Sequence, residues 1–475
     1  MEQLSGLDAS FLYSETGNAT QHIGGLSIYD PSTAPGGEVN FQQILENTKV
    51  RAGSVPSMVN KLVNVPWQLD HPYWKADGDF DPEYHIRRSA LPSPGDWQQL
   101  TRLLARLHSK TLDRTRPLWE MYVIEGLDNV EGYPAGCYAV YTKVHHAAID
   151  GVSGMSITTA VHDLSPEVVI PEAVPVKSEN APGDLDLLLR AQWNNLTRPW
   201  QMLQFMQKAI PGMTRLGRKI NTESVKRFTR VVRTRFNKTV SPHRVFDGLE
   251  FEFEDIRKIK NSIELLTIND VALAICSGAI RKYLESKDEL PNFPIIAIVP
   301  INVRTEDQAF SGGNQVSQMM VSLCTDIKHP LERLVDISSS TKDAKELTHA
   351  IGAKTMTDYT RFIPSNLAAS AARLTSSFGV ANYAKPVFNT VVTNVPGPQV
   401  PLYYTGAKLL GTYSLGPIAD GAGLFHSVAS YCGKLYLSFV CCRDMMADPE
   451  FYAQCLRESF DELKTAAESI GPGAK

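Results

Sequence analysis

The sequence predicts a two-domain protein of mixed α/β class. Short β-like runs alternate with helical ones on both sides of a proline-rich stretch. An apolar fraction of 43% and a charged fraction of 21% are those of a globular chain. At 475 residues there is enough chain for two cores of ordinary size.

Residues 1–170 form the expected first domain. Gln21 to Tyr29 and Ala135 to Val144 read as strands, and Trp97 to Thr111 as an amphipathic helix. The stretch Val168 to Gly183, with Pro171, Pro175 and Pro182, reads as a linker. Leu189, Trp193, Leu196, Trp200 and Leu203 then recur at helical spacing and draw one apolar stripe. Pro199 is expected to kink or restart that helix. Beyond Pro211 the chain turns basic: Arg215, Arg218, Lys219, Lys226, Arg227, Arg230, Arg233, Arg235, Lys238 and Arg244 are opposed only by Glu223. Residues 171–244 are therefore taken as linker and helical, basic connection.

Residues 245–475 form the second mixed unit. Asn269 to Leu284 reads as a helix, Ile295 to Val299 and Asn389 to Asn394 as strands, the latter ended by Val395-Pro396-Gly397-Pro398. His426 to Tyr431 and Lys434 to Val440 bracket Cys432-Gly433, a two-residue hairpin turn. A helix over Pro449 to Ala467 closes the fold.

The formal net charge of -4 gives no overall nucleic-acid signature, so attraction to an anionic partner must come from a local patch. Seven cysteines without a CxxC pair suit buried thiols in a reducing compartment better than a disulfide framework. Met1 to Ser5 shows no basic region leading into an apolar run, and no apolar stretch reaches the roughly 18 residues of a spanning helix. A cytoplasmic protein is expected, free to lie on a membrane face or a lipid inclusion.

The chemistry concentrates in Lys143-Val144-His145-His146-Ala147-Ala148-Ile149-Asp150-Gly151. Two histidines end an apolar strand, and an aspartate and a glycine follow a short loop. If the strand stays extended, the two imidazoles point to opposite faces, so they do not make a matched pair of metal ligands. One of them can serve as a general base while Asp150 fixes local geometry. Gly151 permits a positive φ before a helix beginning near Ser153. A zinc site would want further ligands, and the other histidines are isolated in sequence. A serine hydrolase would want GxSxG, but Gly151-Val152-Ser153-Gly154 misses the spacing. The plainest alternative is a strand end with two incidental histidines and an N-cap aspartate.

In this motif and others the chain resembles the bacterial wax ester synthase/diacylglycerol acyltransferase family, a branch of the acyltransferases carrying HHxxxDG. The likeness covers nearly the whole length. Residues Leu4 to Leu12 and His22-Ile23-Gly24-Gly25 look like the family's opening, followed by Arg116-Pro117-Leu118-Trp119, the histidine motif and Asn269-Asp270-Val271. Pro300 to Arg304, Gly312 to Gln315 and Thr393 to Pro398 complete the order. One departure is Gln21, where the family more often has methionine, and it bears on channel lining rather than on chemistry.

The resemblance implies two chloramphenicol-acetyltransferase-like domains with mixed sheets and an active-site tunnel between them. It implies acyl-CoA as donor and a long-chain alcohol or diacylglycerol as acceptor, with no metal and no bound cofactor. His146 becomes the general base, His145 its support and Asp150 a structural member whose expected partner is Arg304. Asn269 would face the developing oxyanion or orient the histidine, although its place also suits a helix N-cap. The stripe and the basic stretch fit docking on a lipid surface. They also fit packing between the domains, or arginines that hold the phosphates of CoA. A related acyltransferase using a carrier-bound thioester is the nearest enzymatic rival. A silent lipid-inclusion coat protein is the rival of another class, and an intact His146 and Asp150 argue against it.

Overall fold

A computed structural model describes residues 1–149, 157, 160–172, 174, 176, 182–219, 230–302, 316–351 and 365–470. The chain opens with β1 (Glu2–Gln3) and α1 (Gly6–Ser14), then β2 (His22–Asp30) and α2 (Phe41–Ala52). Strands β3 (Asn60–Val63), β4 (Tyr73–Ala76) and β5 (Ile86–Ala90) lead to α3 (Trp97–His108), β6 (Trp119–Leu127) and β7 (Cys137–His145). The long α4 (Asp184–Lys219) precedes β8 (Arg244–Glu252), α5 (Phe253–Ser262), α6 (Ile268–Glu285), β9 (Ile296–Asn302) and β10 (Val316–Ser322). After α7 (Pro330–Ile351) and α8 (Ser365–Ser377) come β11 (Thr390–Pro396), β12 (Tyr403–Tyr404), β13 (Ala407–Leu415), β14 (Leu424–Tyr431), β15 (Lys434–Cys442) and α9 (Pro449–Ile470).

Two six-stranded mixed sheets organise these elements, in the orders β12-β13-β2-β7-β6-β5 and β10-β9-β11-β14-β15-β8; β1, β4 and β3 form a small third sheet. Strand β7 is buried on both faces, as its nearly unbroken apolar run requires. Helix α6 is buried from Asp270 through Ile280, where it packs with α5, α7 and α9. The β14–β15 turn adopts positive φ at Cys432 (43°) and Gly433 (82°), the two left-handed residues that a tight hairpin needs.

The sheets are not built from separate halves of the chain. Strand β13 lies late in sequence yet pairs with β2 of the first sheet, from Lys408 opposite Asp30 to Leu415 opposite Gly24. Its carbonyls meanwhile accept side-chain hydrogen bonds from the second sheet: Tyr431 to Leu409 (3.2 Å), Tyr436 to Leu410 (3.0 Å) and Ser438 to Ser414 (2.6 Å). One strand thus belongs to one sheet by its backbone partners and to the other by side chains. Helix α3 makes a second link, where Trp97 Nε1–H donates to Asp247 of β8 at 2.7 Å.

Helix α4 does not restart at Pro199 but continues as one helix to Lys219. Proline removes the bond to the carbonyl of Asn195, and that residue is exposed, so water can satisfy the freed group. The two faces of α4 differ sharply. Leu187 and Ala191 pack on Val65 and Tyr73, while Asn194 and Arg198 bond Asp70. Leu185, Leu189, Trp193, Leu196 and Trp200 face outward, each between 58% and 77% exposed. The expected packing of this stripe in an interdomain crevice is therefore corrected.

The basic stretch also divides. Arg230 lies 3.6 Å from the centre of the Phe293 ring, and Arg235 pairs with Glu289 at 2.9 Å. Arg233 donates to the carbonyls of Asn237 and Ala381, and Arg244 is buried and donates to the carbonyls of Ser241 and Asn18. These four hold the fold together. Lys226 and Arg227 lie outside the described residues.

Burial raises the Asp247 carboxyl to about 6, against the lowering effect of the Trp97 and Gly248 N–H groups. An acid with a raised folded pKa retains its proton while the unfolded chain releases one, so it costs stability as pH rises from about 4 to 6. Asp247→Asn keeps an acceptor for Trp97 and removes that cost. The advantage of the variant in unfolding free energy should grow by about 2–3 kcal/mol between pH 4 and pH 7. Denaturant titrations at the two pH values measure it, and a pH-independent difference would refute the account.

Candidate active site

Strand β7 delivers both histidines, and its last residue pairs with β2 so that His145 lies opposite His22. His145 is fully buried. Its Nδ1 accepts the N–H of Ala147 at 3.0 Å, which places its proton on Nε2. His146 leaves the strand and begins a short 3-10 turn over His146–Ala148, with its N–H bonded to the carbonyl of Gln21 at 2.8 Å. The turn, added to strand alternation, separates the two rings. One is sealed in the core, and the other keeps part of its surface open.

Helix α1 supplies what surrounds them. Ser5 caps it, accepting the N–H of Asp8 at 3.1 Å and donating to the Asp8 carboxylate at 2.6 Å. The helix carries Phe11 onto His146, with ring centroids 3.9 Å apart and planes 13° from parallel. One turn later, Glu15 enters the core beneath the histidines. Its carboxylate lies 3.2 Å from His22 Nε2, 3.7 Å from His145 Nε2 and 2.6 Å from the Arg114 guanidinium. It also accepts the backbone N–H of Gln21 at 3.2 Å. Gln21 thus meets His146 and Glu15 through its backbone, so the departure from methionine there leaves both contacts intact.

Electrostatics keep this cluster in defined charge states. Burial works against the Glu15 charge, but His145 and His22 overcome it and hold the carboxyl far below its ordinary range. Burial lowers His22 to about 4 despite Glu15, and lowers His108 to about 3. His108 accepts the hydroxyl of Tyr141 at 2.8 Å and donates to the Gly416 carbonyl at 3.1 Å. Gly24 leaves the space this needs, because a Cβ there would meet the Tyr141 hydroxyl at 2.8 Å. Lys143 is fully buried and paired with Glu120 at 3.1 Å, with two backbone carbonyls taking further donors. Burial, opposed by the residue's own backbone carbonyl and helped by the neighbouring His145, lowers His146 to about 4. A partly open, uncharged imidazole can accept a proton from a bound hydroxyl.

Of the residues expected from sequence, His145 and His146 are in place, while Asp150, Gly151 and Arg304 lie outside the described residues. Asn269 sits at the second position of α6, half-buried. The helix is capped instead by Thr267, which forms a capping box with Asp270, so the N-cap assignment of Asn269 is corrected. Trp119 is core, its Nε1–H donating to the Met58 carbonyl at 2.8 Å. Phe11, Glu15 and Arg114 were missed as site residues. An acid four residues after Phe11, closing a short apolar helix, was the available signal. Among the described residues, no three His, Cys, Asp or Glu side chains converge to hold a metal ion.

Residues 4–272 match the wax ester synthase/diacylglycerol acyltransferase catalytic domain, and residues 312–464 match the C-terminal domain of the same family. A probable diacylglycerol O-acyltransferase of Mycobacterium tuberculosis is 31% identical over 98% of this chain and 99% of its own. The O-acyltransferase WSD of Acinetobacter baylyi is 30% identical, covering 94% of this chain and 93% of its own. Among solved structures, the wax ester synthase/diacylglycerol acyltransferase of Marinobacter aquaeolei superposes with a TM-score of 0.69 at 27% identity, over 98% of this chain and all of that one. A condensation domain of the calcium-dependent antibiotic synthetase shares the fold, with a TM-score of 0.59 at 13% identity. The two-domain, chloramphenicol-acetyltransferase-like class expected from sequence agrees with these likenesses.

Replacing Glu15 by glutamine leaves Arg114 without its counter-charge and sets amide hydrogens against the Nε2 protons. Glu15→Gln should lower unfolding free energy by about 1–3 kcal/mol, less than for a fully buried pair because the Arg114 side chain is 39% exposed and screened by solvent. Equilibrium denaturation reads it, and a loss below about 0.5 kcal/mol would mean that the cluster is not held by this charge.

Proposed function

The chain belongs to the wax ester synthase/diacylglycerol acyltransferase family and is an acyltransferase; from that premise we propose that it esterifies long-chain alcohols, diacylglycerol or both, using acyl-CoA. The observation that carries this reading is the place of His146: partly open, in the turn just past β7, and set apart from its sealed neighbour, with burial favouring its neutral form.

In the proposed reaction the acceptor hydroxyl lies within hydrogen-bond reach of the His146 imidazole. As its oxygen attacks the thioester carbonyl, the imidazole takes the hydroxyl proton, because an alcohol is otherwise a poor nucleophile. A carbon–oxygen bond forms and the carbonyl electrons move to oxygen. Their return breaks the carbon–sulfur bond, and CoA leaves as thiolate and recovers the proton from the imidazolium. No acyl-enzyme is invoked. Six of the seven cysteines are buried, and the exposed Cys432 sits at a hairpin tip, so no thiol presents itself as a nucleophile. Asp150, paired with Arg304, would hold the loop after the histidines, and Asn269 would face the oxyanion from the first turn of α6. Donor and acceptor would meet in a passage between the two domains.

We further propose that the outer face of α4 rests on a lipid surface, from which apolar acceptors enter without crossing water. Two tryptophans and three leucines exposed along one stripe support this, since such side chains favour the interfacial zone of a bilayer. The basic positions Arg215, Arg218 and Lys219 follow on the same helix.

Incubating the protein with palmitoyl-CoA and hexadecanol should release thiol and form ester, and His146→Ala should lower turnover by about 1,000-fold or more. Thiol release that survives the substitution would remove His146 from the chemistry. Lipid binding without thiol release in either protein would favour the coat-protein reading. Diacylglycerol in place of hexadecanol identifies the acceptor. In a flotation assay with vesicles containing phosphatidylglycerol, the double variant Trp193→Ala/Trp200→Ala should bind about tenfold more weakly. Unchanged flotation would take α4 off the lipid.

A further inference from the structure

A catalytic imidazole works only if its plane is held, and that task usually falls to an acceptor on the second ring nitrogen. In His146 that nitrogen is buried and faces the residue's own backbone carbonyl, and no acid or other side chain among the described residues bonds it. Glu15, the buried acid nearest the motif, is aimed at His145 and His22 instead. What does contact the ring is Phe11, face to face at 3.9 Å and 13°.

Phe11 is itself held at both ends of its helix. Ser5 and Asp8 cap the start, and Glu15 is bound by Arg114 and lies against the two histidines just past the end. Between them Ala9 and Leu12 pack with Leu112, Leu118 and Ala147, so the helix cannot slide along the turn that bears His146. Stacking at this distance excludes water from one face of the imidazole and leaves its edge available to a hydroxyl.

We propose that Phe11 is a positioning residue for the base: its ring fixes the plane of His146 and dries one face, in place of a hydrogen-bonded acid. This rests on the reading of His146 as general base. Among the described residues, the other charged or titratable groups around α1 and the end of β7 are His145, Glu15, Arg114 and the Tyr13–His71 pair. None of them is altered by a change at Phe11, so a change in the titration of His146 would report the loss of the aromatic face.

The test compares Phe11→Leu and Phe11→Ile with Phe11→Tyr, using palmitoyl-CoA and the acceptor that the native protein turns over, with unfolding midpoints as the folding control. The aliphatic variants should lose about 10- to 100-fold in kcat while KM for palmitoyl-CoA moves by less than about threefold. The acid limb of their kcat/KM profile should move up by about one pH unit or more, toward an ordinary histidine, because water reaches the ring. Phe11→Tyr keeps the face and should stay within about threefold of the native rate. An unmoved acid limb in a folded aliphatic variant would reduce Phe11 to packing and overturn the inference, as would an equal loss in Phe11→Tyr. If His146→Ala abolishes turnover while the aliphatic variants behave as native, only the role of Phe11 fails. If His146→Ala keeps turnover, the base assignment fails first.

Discussion

A single buried carboxylate ties the site to the fold. Glu15 lies beneath the end of β7, against His145, His22 and Arg114, and joins a helix from the start of the chain to the strand that carries the histidines. Ionising an acid in the core costs several kcal/mol unless partners converge on it, and here two imidazoles, a guanidinium and a backbone N–H do so. Because that charge is satisfied only when α1, β2 and β7 are in register, it couples the placement of His146 to the packing of three elements.

The two histidines illustrate how one short segment yields two different environments. Strand alternation sends His145 inward, where it has a backbone donor on one nitrogen and an acid near the other. The 3-10 turn then lifts His146 out of the ladder toward α1, where an aromatic face replaces polar partners. The first ring is sealed, with Nδ1 accepting the Ala147 N–H and Nε2 3.7 Å from the Glu15 carboxylate. The second is available because its environment removes charge without consuming the proton-accepting edge.

Behind this lies a scaffold stitched across its two sheets. Strand β13 pairs with β2 by backbone and with the second sheet through Tyr431, Tyr436 and Ser438. Since β2 is also the neighbour of β7, a shift between the sheets would be felt at the histidines within two strands. The α4 helix is attached differently. It is held by Leu187, Ala191, Asn194 and Arg198 along one side only, which leaves the tryptophan stripe facing outward.

Periodicity, turn chemistry and motif order in the sequence determined the strands around the histidines, the β14–β15 hairpin at Cys432-Gly433, the long helices and the family. These are local patterns, each set by a few consecutive residues and their burial. The tertiary structure decided what depends on contacts between distant segments. Glu15 meets Arg114 across 99 residues, Phe11 meets His146 from a helix with no marked amphipathic pattern, and β13 returns to β2 from late in the chain. It also assigned the cap of α6 to Thr267 rather than Asn269, and gave Arg230, Arg233, Arg235 and Arg244 of the basic stretch partners from distant segments, with Arg230 and Arg233 still exposed. A charge or ring in a sequence states what it can bond, but the partner is chosen by the packing that brings two separated segments together.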